Sequence, residues 1–276
     1  MSTGRGGWGG TAAGSVDPDV PSPARMYDLW LGGKDNYASD RLAADKVSRE
    51  IDDIDEACRD NRAFLVRAVR YLAGHGIDQF LDLGCGLPGE VNVHEIAQRV
   101  APSAQVVYVD NDPIAGIHGH ALLENRDTAT VLAADFRDTE ALLSHSAVTS
   151  AIDWSRPVGV LLLAALQHVT DSDGPRAVLR TLRARMAPGS YLVVSHLSGD
   201  GLPRPQVRAA TKIFAGASAP TVFRSRMELN DLLDGFDQLP PGLDRPSQWW
   251  PDPDVPGPTT ECMWAVAAQV PPEVEG

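Results

Sequence analysis

The sequence predicts an α/β fold in which a doubly wound parallel sheet carries helices on both faces and a helical segment precedes it. Three observations predict this. Between residues 79 and 196, short apolar runs alternate with stretches of helical periodicity, as strands joined by crossover helices do. One run, VGVLLLAAL (158–166), is apolar throughout, as a strand covered on both faces must be. A glycine-rich turn, GCGLPG (84–89), joins the first apolar run to a helix. Right-handed crossovers give the double winding, and the ligand crevice is expected at the carboxyl ends of the strands.

Taken in order, residues 1–20 are rich in Gly, Ala, Ser and Thr and read as a flexible tail. PARMYDLWL (23–31) is a helix: Pro23 starts it, Met26, Leu29 and Trp30 share a helical spacing, and Gly32-Gly33 ends it. KDNY (34–37) is a polar turn before a helical stretch over 38–51. A third helix is expected from near Asn61, with Phe64, Leu65, Ala68, Val69 and Leu72 on one face and Gly74 as its stop. These helices are too few to hold a core of their own and are expected to lie against the alternating region C-terminal to them.

FLDL (80–83) is the first strand. Val93, Ile96, Ala97 and Val100 mark the next helix, closed by Pro102. VVYV (106–109) is the second strand and runs into DNDP, with a weaker helix after it over 114–123. TVLAAD (130–135) is the third strand, 140–144 a short helix, and 158–166 the fourth strand. Asp173 is a candidate cap for a helix over 175–186, with Val178, Leu182 and Met186 on one side. Pro188-Gly189 turns into SYLVVSH (190–196), the fifth strand. Beyond Asp200 the alternation weakens to a helix over 226–233, an irregular Pro-rich stretch over 240–258, and a last strand, CMWAVAAQV (262–270).

A chain of 276 residues can bury a sizeable core without disulfides or a structural metal. With 43% hydrophobic and 22% charged residues, wholesale disorder and fibrous repeats are excluded. The net charge is −13, which argues against a nucleic-acid partner because phosphate binding draws on basic surfaces. No apolar run approaches the ~18–20 residues of a membrane helix. MSTGRGGWGG has no apolar stretch of the kind a secretory signal needs. Cys58, Cys85 and Cys262 are scattered, against both a disulfide framework and a zinc knuckle. The expectation is a cytoplasmic protein with a small-molecule partner and neither a nucleic-acid nor a membrane one; its oligomeric state is left open.

The glycine turn is where chemistry is expected. It matches GxGxxG, succeeds a strand, precedes a helix, and has Asp110 at the end of the next strand, which by itself points to a dinucleotide. Missing Cβ atoms let the backbone turn sharply and a ligand approach, while the acid receives ribose hydroxyls. Three details argue against a nicotinamide cofactor. Asp82 stands two residues before Gly84, where a carboxylate suits a ligand with an amino group and would repel a pyrophosphate. Pro88 removes an N–H where a pyrophosphate needs donors. Asp135 ends the third strand, where it can accept from an adenine amino group. Each acid alone also reads as a loop cap or solvated turn; three at the ends of consecutive strands point together to a ligand.

The pattern Asp-Leu-Gly-Cys-Gly with Asp110 and Asp135 resembles the class I S-adenosylmethionine-dependent methyltransferases. A longer resemblance runs through PSPARMYDLWLGGKDNYASDR, NRAFLVRAVRYLA, FLDLGCGLP, VVYVDNDP, PGSYLVVSH and RSRMEL, and is to the actinobacterial "S-adenosyl methyltransferase" family. It implies a Rossmann-like, seven-stranded, mostly parallel sheet of order 3-2-1-4-5-7-6 with an antiparallel last strand. It implies one domain over 21–276: a helical cap (21–75), a cofactor-binding core (76–200) and the C-terminal part of the sheet (201–276). The implied cofactor is S-adenosyl-L-methionine. Its methionine part falls to Asp82, Gly84 and Gly86, its ribose to Asp110, and its adenine to Asp135 with Phe136 as a backbone donor. Asn111, Ala164 and Tyr27 complete the expected cofactor contacts, although Tyr27 equally reads as packing of its helix. The chain departs from the family at Gln167, where relatives often carry the first of two histidines, and at Gly89, where Thr is expected.

His168, after the fourth strand, is the candidate general base, with Asp171 and Asp173 downstream to orient it; closing the turn is the competing role. Arg62 can pair with the methionine carboxylate, although a surface arginine is the commoner reading. Cys85 lacks a basic partner and reads as a small buried residue. His118 and His120 would not face together on a helix, and His94 and His196 read as packing or surface residues. The expected function is methyl transfer to a small molecule. The alternatives are a non-catalytic S-adenosylmethionine- or S-adenosylhomocysteine-binding protein and, with less support, a dehydrogenase or an RNA methyltransferase.

Overall fold

Strands β1 (Gln79–Leu83), β2 (Gln105–Asp110), β3 (Ala129–Ala133), β4 (Gly159–Leu163), β5 (Tyr191–Leu197), β6 (Asp237–Gln238) and β7 (Met263–Gln269) form one sheet. Their order is β3-β2-β1-β4-β5-β7-β6. Pairings among β1 to β5 are parallel, and β7 runs antiparallel to both β5 and β6. The computed structural model describes residues 16–123, 127–251 and 260–272. Every side chain of β1 and β5 is buried, so the sheet is covered on both faces. In the centre Leu81 lies between Val107 and Val160, all fully buried.

The helices are α1 (Pro23–Trp30), α2 (Ala38–Glu50), α3 (Ile54–Gly74), α4 (Val93–Val100), α5 (Pro113–Leu122), α6 (Thr139–Ser144), α7 (Ser146–Ala151), α8 (Pro175–Arg185), α9 (Arg204–Phe214) and α10 (Arg226–Leu232). Two apolar clusters result. One surrounds the sheet and includes Phe64, Leu72, Phe80 and Leu161. The other joins Met26, Val47, Ile51, Ile54 and Cys58 from the N-terminal helices to Phe214 of α9 and Met263 of β7. Among the described residues, no helix is long and apolar enough to cross a membrane.

Several boundaries differ from expectation. Residues 16–20, read as part of a tail, are held: the Val20 carbonyl accepts from Arg25 at 2.7 Å and the Pro18 carbonyl from Ser39 at 2.6 Å. The rest of that tail, 1–15, lies outside the described residues. α3 starts at Ile54, not near Asn61, because Ile54, Ala57 and Cys58 extend its buried face and Asp55 and Glu56 suit its first turn. β4 stops at Leu163: Ala164 turns to a φ of 52°, and Leu166–His168 is a 3-10 turn. β3 ends at Ala133, two residues short of Asp135. Asp173 does not cap α8; Gly174, at φ 72°, occupies that place, and the Asp173 carboxylate accepts from the Thr170 amide. α7 and α9 were not expected, and the sixth strand that the seven-stranded resemblance implied without a position is the two-residue β6. The described part of the Pro-rich stretch lacks regular structure apart from a 3-10 turn at Pro246–Gln248, yet it buries Trp249 completely. Residues 252–259 of it lie outside the described residues.

Candidate active site

Every residue expected to touch the cofactor, and His168 with them, lines one cavity of about 750 Å³. It lies at the carboxyl ends of β1 to β4 and is walled on its other side by α1 and α3. The glycine turn forms its floor. The Gly84 and Cys85 amides both donate to the Val109 carbonyl, at 2.8 and 3.2 Å. Gly84 has a φ of 70°, and a Cβ there would stand 2.6 Å from the Ala165 Cβ, so glycine is required both by conformation and by close approach. Position 89, where Thr was expected, has Arg62 against it: a Cβ would sit 2.7 Å from Nη2, so a side chain there would displace the guanidinium.

Asp82, last but one in β1, is buried and receives no hydrogen bond from any described residue. Burial pushes its carboxyl up to about 7, against the pull of the Arg62 guanidinium and with a push from Asp110. Arg62 is no free surface residue. It projects from α3 over the glycine turn and donates to the Val91 carbonyl at 2.9 Å. Asp110 holds the turn: its carboxylate accepts from the Gly86 and Asp112 amides, both at 2.8 Å. Burial still pushes this carboxyl up to about 6.

Asp135 is half-exposed and clasped by Arg137, whose Nε lies 2.9 Å from both carboxylate oxygens. Partial burial pushes its carboxyl up, but the Arg137 bonds, with one from the Asn111 side chain, together hold it below the usual carboxylate range. Ala164 keeps its positive φ because its amide donates to Ser195 Oγ at 2.8 Å and lies 3.1 Å from the Ser195 carbonyl. Tyr27 donates its hydroxyl to the Cys58 carbonyl and accepts from Asn61 Nδ2, both at 3.0 Å, so it faces the cavity with its hydroxyl already engaged. Burial raises its phenol.

At His168, Nδ1 lies 3.0 Å from the Pro220 carbonyl and 3.2 Å from Thr221 Oγ1. A carbonyl only accepts, so Nδ1 carries the hydrogen and Nε2 the lone pair. Burial pulls this imidazole down to about 4. The downstream acids do not orient it: Asp171 bonds Arg224 at 2.8 Å, and Asp173 bonds Thr170. Gln167 is a structural anchor whose Oε1 accepts from the buried Leu197 amide. His94 packs on Tyr108, His196 is buried beside Arg224, and His118 lies 3.4 Å from Asp35. Cys85 lines the cavity with its thiol pushed well up by burial. Among the described residues, no group of three or more His, Cys, Asp or Glu side chains could hold a metal.

Sequence reasoning missed a buried polar cluster at the rim. Arg25 Nε lies 2.8 Å from Asp40 and Nη1 3.4 Å from Asp112, while Ser22 bonds both acids. It ties α1 and α2 to the loop after β2. The only signal in the sequence was Asp112 within DNDP, next to Asp110 and so within reach of whatever covers the ribose end.

The cavity has glycines where a ligand must approach, an unpaired buried carboxylate, and acids at the ends of three strands, a set of acceptors that fits an amino-acid-bearing nucleoside. A model of the S-adenosyl methyltransferase family matches residues 9–271. The chain belongs to this family. It is an S-adenosylmethionine-dependent methyltransferase, and the nicotinamide alternative falls. A candidate methyltransferase from Thermobifida fusca is similar at 39% identity, over 92% of this chain and 96% of that one, with a TM-score of 0.84. A DUF574 family protein from Streptomyces avermitilis is similar at 33% identity, over 92% and 99%, with a TM-score of 0.86. No curated protein matches the chain. The sheet order 3-2-1-4-5-7-6 of the S-adenosyl methyltransferase resemblance is the one observed.

Proposed function

We propose that the protein transfers a methyl group from S-adenosylmethionine to a small-molecule acceptor held between the cofactor and the N-terminal helices. The observation that carries this is the shared cavity. Its volume of about 750 Å³ is in the range of small-molecule sites, and the strand ends and the helices α1 and α3 enclose it together. Beyond the strand ends its wall turns apolar, with Leu31, Ile54, Leu197, Phe214 and Met263 from the second core cluster. A wall of that kind accepts a compact, partly apolar molecule. The chain's negative charge disfavours a nucleic-acid acceptor.

In this reading Asp82 holds the amino group and Arg62 the carboxylate of the methionine part. Asp110 receives the ribose hydroxyls with lone pairs not used by Gly86 and Asp112. Asp135, with Asn111 and Phe136, faces the adenine, and Ala164 and Tyr27 close the walls. When bound, the cofactor supplies an electrophilic methyl group on a sulfonium. Displacement there is in line, so holding the acceptor in position supplies much of the rate. If the acceptor is a hydroxyl, His168 takes its proton at Nε2, the nitrogen left free by the Pro220 contact. Burial keeps this ring neutral at physiological pH and, by disfavouring the imidazolium, also lowers its basicity.

The experiment is a metabolite-pool screen with methyl-labelled cofactor. Label should appear in a small molecule. Label confined to RNA or protein would overturn the acceptor class, and binding without any transfer would leave a non-catalytic binder.

A further inference from the structure

Asn61 presents an acceptor oxygen that no described residue uses. The residue is 3% exposed, lines the cavity, and its Oδ1 has no hydrogen-bond partner among the described residues. Its orientation is fixed by the neighbouring bonds. The Tyr27 hydroxyl has one hydrogen, and that goes to the Cys58 carbonyl at 3.0 Å. The hydroxyl therefore accepts from the Asn61 amide nitrogen, also at 3.0 Å. The side chain cannot flip without setting a lone pair of oxygen against a lone pair, so Oδ1 is fixed on the other side. A buried acceptor without a donor has given up its hydrogen bond to water. A ligand that brings an N–H recovers it.

The donor can be identified by where Asn61 stands. The next residue on α3, Arg62, lies over the glycine turn, bonds the Val91 carbonyl and acts electrostatically on Asp82. Adjacent helical residues do not share a face, but the Arg62 guanidinium acts on both the Asp82 carboxyl and the Tyr27 hydroxyl, so the Tyr27–Asn61 pair stands near the end of the cavity where the methionine part is read. An α-ammonium has three N–H groups, and the Asp82 carboxylate does not satisfy all of them in a buried site. We infer that Asn61 Oδ1 is a second ligand of the cofactor's α-ammonium, and that the Tyr27–Asn61 pair makes the protein select cofactors carrying that amino group. The inference rests on the cofactor reading of this cavity.

The test is calorimetric and needs no methyl acceptor. S-adenosylhomocysteine and its analogue lacking only the α-amino group, the adenosyl thioether of 4-mercaptobutyrate, are titrated into wild type and Asn61→Leu. In wild type S-adenosylhomocysteine should bind more tightly than the analogue. Asn61→Leu should weaken S-adenosylhomocysteine by about ten- to hundredfold while the analogue changes by less than about threefold, because only the former loses a charge-assisted bond. The ratio of the two affinities is the readout, since general loosening of the site would lower both alike. Asn61→Asp keeps an oxygen toward the ligand once the Tyr27 hydrogen turns from the Cys58 carbonyl to the new carboxylate, so it should retain the preference, and it serves if the leucine variant does not fold. A ratio unchanged in Asn61→Leu, or lost in Asn61→Asp, would overturn the inference while leaving the cofactor reading intact. Failure of wild type to bind S-adenosylhomocysteine at all would overturn both.

Discussion

Replacing Asp82 by Asn should make the ligand-free protein more stable and the cofactor complex weaker. Asp82 is 5% exposed, and its carboxyl is pushed from its ordinary 3.8 up to about 7, first by burial and further by Asp110, with Arg62 opposing. At about 1.4 kcal/mol per pH unit, keeping it ionised in the folded protein costs on the order of 4 kcal/mol. The folded state binds this proton more tightly than the unfolded state, so the associated stability is full below pH 3.8 and is lost as pH rises to about 7. Asn has nearly the same shape and no charge to desolvate. The gain from Asp82→Asn should thus be small near pH 4, grow through pH 4–7, and level off above at roughly 2–4 kcal/mol, since the shift is already net of the attraction to Arg62 and the new amide is itself buried without partners. For a chain of this size that is a rise of roughly 4–10 °C in Tm. Thermal unfolding of wild type and variant across this pH range measures it, and calorimetry with S-adenosylhomocysteine should show binding weakened by roughly 2–3 kcal/mol. A variant that is less stable at pH 8, or whose gain does not depend on pH, would refute the reasoning. So would undiminished binding, because the buried carboxylate would then have no ligand to justify it.

Asp110→Ala should weaken S-adenosylhomocysteine by roughly 1–3 kcal/mol in calorimetry, since a charged acceptor is lost and the Gly86 amide is released with it. Asp40→Ala leaves the buried Arg25 without its 2.8 Å partner and should cost about 3–5 kcal/mol; chemical denaturation reads the loss, and unchanged stability would show that the cluster does not hold α1 and α2 in place. His168→Ala should lower turnover of a hydroxyl acceptor by roughly 10²–10⁴ while S-adenosylhomocysteine affinity stays constant. Loss of affinity without a separate rate effect would move His168 into the cofactor shell.

The sequence by itself determined the sheet and which strand-end residues line the cavity. Short apolar runs, glycine turns and an acid at or near the end of each of the first three strands are local signals, and the backbone geometry they demand is local too. Where long-range partners set the outcome, the reading went astray. The run 158–166 is uniformly apolar, yet its strand stops at Leu163 because Ser195, on the neighbouring strand, captures the Ala164 amide. His168 is oriented by Pro220 and Thr221, more than fifty positions away, and not by the acids beside it, because those acids find Arg224 and Thr170. α9 went unseen although its apolar positions have helical spacing, because Pro203 and Pro205 at its start read as irregular chain and Ala210 and Phe214 find their apolar partners on the distant N-terminal helices. As a ligand, Asn61 gave no signal. A single amide on a helix becomes informative only when a tyrosine 34 positions earlier fixes its nitrogen and burial leaves its oxygen without water. Propensity and pattern act along the chain, whereas desolvation and hydrogen-bond matching are set by neighbours that only the folded structure brings together.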